Sequence, residues 1–235
     1  MKIIVLKANN YKEKDGIIDA ISEEEKMSFL ARSLFDSKSK NLPLSNPLTI
    51  ADVTTSSGKY KYPVINSSSI LMSSINPHAD LKYMATLMMI TEIINNLLSD
   101  EEQVKMFKEI EECLMALKTS SNPYEIGFAF LAKALKNSGY DFEVNHCVKC
   151  GGKKSIVAFS FEEGGYICQN CYDESAPLAF NKKQMSLIRQ AFLLDDYSLS
   201  FNELGETEVL LLFDKFFAFI YDSYGYRLKS KDLFK

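Results

Sequence analysis

His146-Cys147-Val148-Lys149-Cys150-Gly151-Gly152, answered by Ile167-Cys168-Gln169-Asn170-Cys171-Tyr172, decides the middle of this chain. Each half carries a C-x-x-C pair, and seventeen residues separate the pairs, a spacing read as a zinc site. A two-residue gap lets a tight turn aim both thiolates at one ion, and the second pair completes a closed tetrahedral shell. Glycines 151, 152, 164 and 165 stand where such knuckles turn. Four thiolates leave no open position for substrate, so Cys147, Cys150, Cys168 and Cys171 are expected to hold one structural Zn2+. Disulfides are the competing reading. The segment Met1–Lys7 is too short an apolar stretch for a secretory signal, so a reduced cytoplasmic chain is expected. A redox dithiol needs only one pair. His146 is a substitute ligand in one reading and an exposed neighbour in the preferred one. Cys113, far from the cluster in a helical pattern, reads as a small buried hydrophobe.

Upstream of the cysteines the pattern has a helical period. Residues 81–98, then Val104, Phe107, Ile110, Leu114 and Leu117, predict two amphipathic helices. Asn122-Pro123 starts a third, which stops at Gly139. Short strands are expected at Ile156–Phe161 and Tyr166–Ile167. After the cysteines, Asn181 caps a helix, and a last one runs from Thr207 to Tyr224 and ends at Gly225. The first 78 residues read as β. Strands are expected at Ile3–Ala8, Ile17–Ile21, Met27–Phe35, Leu48–Thr54 and Tyr60–Ile65, with a Ser56-Ser57-Gly58 turn before the last. Serine-rich Asn66–Asn76 reads as a linker. The sum is an α+β fold: a five-stranded OB-like β-barrel (1–78), then an α-helical domain (79–145 and 177–235) holding a four-cysteine, zinc-ribbon-like insert (146–176).

With 235 residues, 46% of them hydrophobic and 25% charged, the chain has an ordinary globular composition and no apolar run long enough to span a bilayer. The net charge of −4 excludes a globally basic nucleic-acid binder. The charge is uneven, however: residues 1–78 carry ten Lys/Arg against eight Asp/Glu. No phosphate-cradling glycine loop is present, and two histidines leave little for a nucleophilic triad. No constellation argues for an enzyme.

The order of these parts resembles the RecO family of recombination mediators. The likeness rests on Ile4-Val5-Leu6-Lys7 followed by Tyr11-Lys12-Glu13-Lys14-Asp15, on Ala31-Arg32 with Ser37-Lys38-Ser39, on the cysteine knuckles, and on Gly225-Tyr226-Arg227-Leu228-Lys229-Ser230. The resemblance implies a non-catalytic role in DNA repair. It implies binding of single- and double-stranded DNA, annealing of complementary strands, and work with RecR. It also implies help in loading RecA onto DNA covered by single-stranded-DNA-binding protein, whose acidic C-terminal tail is a further partner. No membrane is implied. On such a barrel, Lys7, Lys12, Lys14, Arg32, Lys38, Lys40, Lys59 and Lys61 are the candidate phosphate contacts, and Tyr11, Tyr60 and Tyr62 the candidate stacking rings. Lys149, Lys153 and Lys154 on the knuckle are either a second contact or a solvated loop. Met27–Phe35 departs from the family's pattern, because it lacks the usual glycine and carries only one cation, Arg32. That departure motivates a second reading, a protein-binding adaptor with little DNA affinity.

Overall fold

The computed structural model describes residues 1–57, 61–76, 79–175, 179–201 and 204–234. The chain divides into two compact units, Met1–Thr119 and Ser120–Lys235.

In the first unit, strands β1 (Lys2–Tyr11), β2 (Asp15–Ile21), β3 (Lys26–Ala31), β4 (Ile50–Ser56) and β5 (Val64–Met72) close into a barrel. Their order around it is β1-β2-β3-β5-β4. Neighbours run antiparallel except β3 and β5, which pair in parallel at Leu30↔Val64. Alternation builds the core: Ile3, Val5, Ile18, Ala20, Phe29, Ala31, Ala51, Val53 and Ile65 pack together inside. Leu34 and Leu44 complete that core, Leu44 from a 3-10 turn at Leu42–Ser45. The opposite face of β1 is buried too, at Ile4 and Leu6. Helix α1 (Leu81–Asn96) reaches this strand, where Asn95 Nδ2 donates to the Leu6 carbonyl at 3.3 Å.

Three boundaries differ from the sequence expectation. β3 stops at Ala31, because Ser33 turns the chain with a positive φ of 51° and donates its amide to Asp15 Oδ1 at 2.8 Å. Leu34 then folds beneath Gly16, where an added Cβ would lie 2.3 Å from Leu34 Cδ2 and would force the buried Leu34 side chain to shift. The expected linker, residues 66–76, is in large part strand β5, paired with β4 from Ser56↔Val64 to Ile50↔Met72. Its serines are compatible with this because their hydroxyls find partners. Ser67 Oγ meets Thr54 Oγ1 at 2.6 Å, and Ser68 Oγ donates to Asn41 Oδ1 at 2.9 Å. The expected second helix is two, α2 (Asp100–Lys105) and α3 (Phe107–Thr119), parted at Met106. A Ser99/Glu102 capping box opens α2. Cys113 is fully buried on α3.

The second unit contains α4 (Pro123–Asn137), the hairpin β6 (Ile156–Ser160) and β7 (Gly165–Cys168), α5 (Lys182–Leu193) and α6 (Glu206–Tyr224). Proline occupies the first turn of α4, although the Asn122 side chain makes no capping bond. Asn181 and Gln184 form a reciprocal capping box on α5, and Gly225 ends α6 in the left-handed conformation. An aromatic cluster joins the hairpin to the helices. Phe142 lies 5.2–5.7 Å from the rings of Phe159, Phe161, Phe192 and Phe219, and Phe161 stacks on Phe219 at 4.5 Å. Tyr166 of β7 donates its hydroxyl to the Met185 carbonyl on α5 at 2.5 Å. Among the described residues, no helix is long and apolar enough to cross a membrane.

Candidate metal centre and nucleic-acid interface

The β6–β7 hairpin brings the two C-x-x-C pairs together. Cys147 and Cys150 sit on a turn closed by Gly151 N donating to Cys147 O and Cys147 N to Gly152 O, both at 2.8 Å. Gly151 stands at φ +71°, which lets that turn close. Cys168 ends β7, and Cys171 N donates to Cys168 O at 3.0 Å in the second turn. All four Sγ atoms lie within 4.8 Å of one another, with Cys150 and Cys168 at 3.6 Å. A tetrahedral four-thiolate zinc shell with bonds of about 2.3 Å requires sulfurs about 3.8 Å apart, so the donor set fits one metal ion. Cys147 and Cys168 are buried among Ala158 and Ile167, whereas Cys150 is exposed.

The thiols are electrostatically unequal. Burial opposes ionisation of Cys147, but the backbone amides of Cys168, Cys150 and Lys149 outweigh it and bring this thiol down to about 6. Cys171 is pushed up to about 12, first by hydrogen bonds to the sulfurs of Cys150 and Cys168 and then by burial. A bound dication would supply the charge that lets all four ionise. His146 stands outside the set, with Nδ1 2.9 Å from Glu143 Oε2. Lys149 is paired with Glu163 at 2.9 Å, while Lys153 and Lys154 are exposed.

In the first unit most of the candidate DNA-contact residues meet at one end of the barrel. Phe35 N donates to Lys14 O at 3.0 Å, and Asn41 Nδ2 donates to Arg32 O at 3.4 Å. These bonds, with the one from Ser33 to Asp15, tie the β1–β2 turn to the segment after β3. Leu30 N donates to Pro63 O at 2.8 Å, which brings the entry to β5, with Lys61 and Tyr62, beside the end of β3. Residues 11–15, 32–41 and 61–63 therefore converge. They carry Lys12, Lys14, Arg32, Lys38, Lys40 and Lys61 against Glu13, Asp15 and Asp36. The loops after β1 and β4 are the ones through which OB barrels take oligonucleotides. Tyr11 is exposed, with Lys12 Nζ 5.3 Å from its ring centre, and Lys61 Nζ lies 5.2 Å from that of Tyr62. Lys7 stands apart, exposed in mid-strand opposite Asp19. Lys59 and Tyr60 lie outside the described residues. Sequence reasoning missed Asp36, whose Oδ2 holds Lys14 Nζ at 2.6 Å, and Glu143, which grips the approach to the first knuckle. Neither stands in a motif, so no spacing signalled them.

A family model described as recombination protein O N terminal matches residues 1–73, and one described as recombination protein O C terminal matches residues 78–231. This chain belongs to the RecO family. DNA repair protein RecO of Clostridium perfringens (strain 13 / Type A) is 30% identical over 240 residues, covering 99% of this chain and 95% of the relative. That of Bacillus subtilis (strain 168) is 25% identical over 237 residues, covering 97% and 90%. That of Syntrophomonas wolfei is 27% identical over 191 residues, covering 80% and 76%. The closed barrel is thus the RecO N-terminal region, and the cysteine cluster falls within the RecO C-terminal one.

Proposed function

We propose that this RecO-family DNA repair protein is a non-catalytic recombination mediator of the cytoplasm. It binds single- and double-stranded DNA at the basic end of its barrel, anneals complementary strands, and works with RecR. It helps RecA load onto DNA covered by single-stranded-DNA-binding protein, whose acidic C-terminal tail contacts the helical part. The ion held by the four cysteines is zinc, and its role is structural. The observation that carries this reading is the convergence of six cations at one end of the barrel, Lys12, Lys14 and Lys61 on the two loops suited to oligonucleotides and Arg32, Lys38 and Lys40 on the segment after β3, in a chain matched by both RecO family models. Phosphate neutralisation by these cations, with stacking on Tyr11 and Tyr62, accounts for affinity without sequence preference.

A second reading, an adaptor that binds repair proteins and has little DNA affinity, is favoured by the net charge of −4 and by the Lys14–Asp36 pair. Fluorescence anisotropy of a labelled single strand, titrated across a salt series with metal-verified protein, separates the two. The mediator binds at low salt and weakens steeply as salt rises. No binding at low salt, with the metal in place, favours the adaptor.

A further inference from the structure

The metal centre is assembled from two loops that are distant in sequence, so its geometry depends on whatever holds them in register. Val148 N links them at the first knuckle itself, donating to Tyr166 O at 2.8 Å, and Glu143 links them just before it. The Glu143 carboxylate reaches forward along the chain: Oε1 accepts from Asn145 N at 2.6 Å and from His146 N at 3.2 Å, and Oε2 lies 2.9 Å from His146 Nδ1. It thereby caps the turn that delivers Cys147. The Glu143 backbone reaches sideways into the second loop. Its amide donates to Gly164 O at 3.0 Å, and its carbonyl accepts from Tyr166 N at 2.8 Å. Those bonds pin the strand that ends in Cys168. The approach is so close that a Cβ on Gly165, at φ +151°, would lie 2.3 Å from Glu143 O.

We propose that Glu143 is the positioning residue of the metal centre, setting Cys147 against Cys168 through its carboxylate and its main chain together. The inference rests on the metal-centre reading. The contact between the Glu143 carboxylate and the His146 ring is partly exposed and contributes little by itself. The effect comes from the two capped amides, which Glu143→Ala abandons while the main-chain bonds remain. Groups that orient metal ligands in this way typically change metal affinity by about 10–100-fold.

Cobalt(II) tests this on the full chain. Wild type, Glu143→Ala, Glu143→Gln and Glu143→Asp are compared for bound metal, visible d–d spectrum and Kd by competition with a chromophoric chelator, alongside urea denaturation. Glu143→Ala is expected to bind cobalt about 10–100-fold more weakly, with an altered d–d spectrum. Glu143→Gln keeps an acceptor oxygen at the same reach and is expected to recover most of the affinity. If Glu143→Ala lowers only the denaturation midpoint and leaves affinity and spectrum unchanged, the role is merely structural and the proposal is overturned. Should Glu143→Ala fail to fold, Glu143→Asp decides. Its carboxylate is one methylene shorter, draws back from the amides, and is expected to weaken binding; unchanged affinity overturns the proposal. Wild type that binds no cobalt refutes the metal centre itself, and this inference with it. Wild type that binds while all variants bind equally refutes this inference alone.

Discussion

Asp36→Asn is expected to strengthen DNA binding, and the structure sets the size of the effect. Asp36 Oδ2 holds Lys14 Nζ at 2.6 Å, and Oδ1 accepts from Lys38 N at 3.0 Å. The Lys14 hydrogen bond, followed by the Lys38 amide, keeps this carboxyl below the usual carboxylate range, so it is ionised at neutral pH. A phosphate approaching Lys14 therefore meets an anion that already engages it. Each phosphate neutralised on a single strand contributes a slope of about −0.7 in log K against log salt. Contacts from Lys12, Arg32, Lys38, Lys40 and Lys61 sum to about −3.5, a loss of roughly 130-fold between 50 and 200 mM salt. The Asp36→Asn side chain keeps an acceptor oxygen for the Lys38 amide but releases Lys14, so the slope should steepen to about −4.2 and affinity should rise most at low salt. By the same reasoning, Lys38→Ala should flatten the slope by about 0.7 and Lys14→Ala by less. The assay is anisotropy of a labelled oligonucleotide at four or more salt concentrations. If Asp36→Asn changes neither affinity nor slope while Lys38→Ala does, Lys14 is not part of the interface. If no variant and no salt change matters, phosphate neutralisation at the barrel end is the wrong account.

The remaining expectations concern stability and the metal. Cys147→Ser and Cys150→Ser should each abolish stoichiometric zinc and lower the melting temperature and solubility, yet leave DNA affinity per folded molecule unchanged; metal analysis, circular-dichroism melts and anisotropy check the three parts. Phe142→Ala removes a buried ring in contact with those of Tyr140, Phe159, Phe161, Phe192 and Phe219 and should cost about 3–5 kcal/mol in urea denaturation, and a cost under about 1 kcal/mol would mean that the hairpin does not depend on this cluster. Ser99→Ala breaks the α2 capping box and should cost about 1 kcal/mol by the same measurement, with Ser99→Gly losing less.

By itself, the sequence determined whatever is local. The short apolar run at residues 3–6 and the alternation through residues 17–20 specified strands, because side chains in an extended chain point alternately to two faces, buried on both in the first case and on one in the second. Asn181 before Gln184, and Gly225 after Tyr224, marked helix ends, because the orphan backbone groups there need partners within a few residues. Two C-x-x-C pairs announced the four-cysteine cluster, because a two-residue turn suffices to aim two thiols at one point. Tertiary structure alone decided the rest. Residues 66–69 look like linker until β4 supplies a ladder and hydroxyl partners. Lys14 meets Asp36, and Glu143 meets Gly165, only once the barrel has closed and the hairpin has folded. Contacts between residues about twenty apart depend on how whole elements pack, and local propensity carries no record of them.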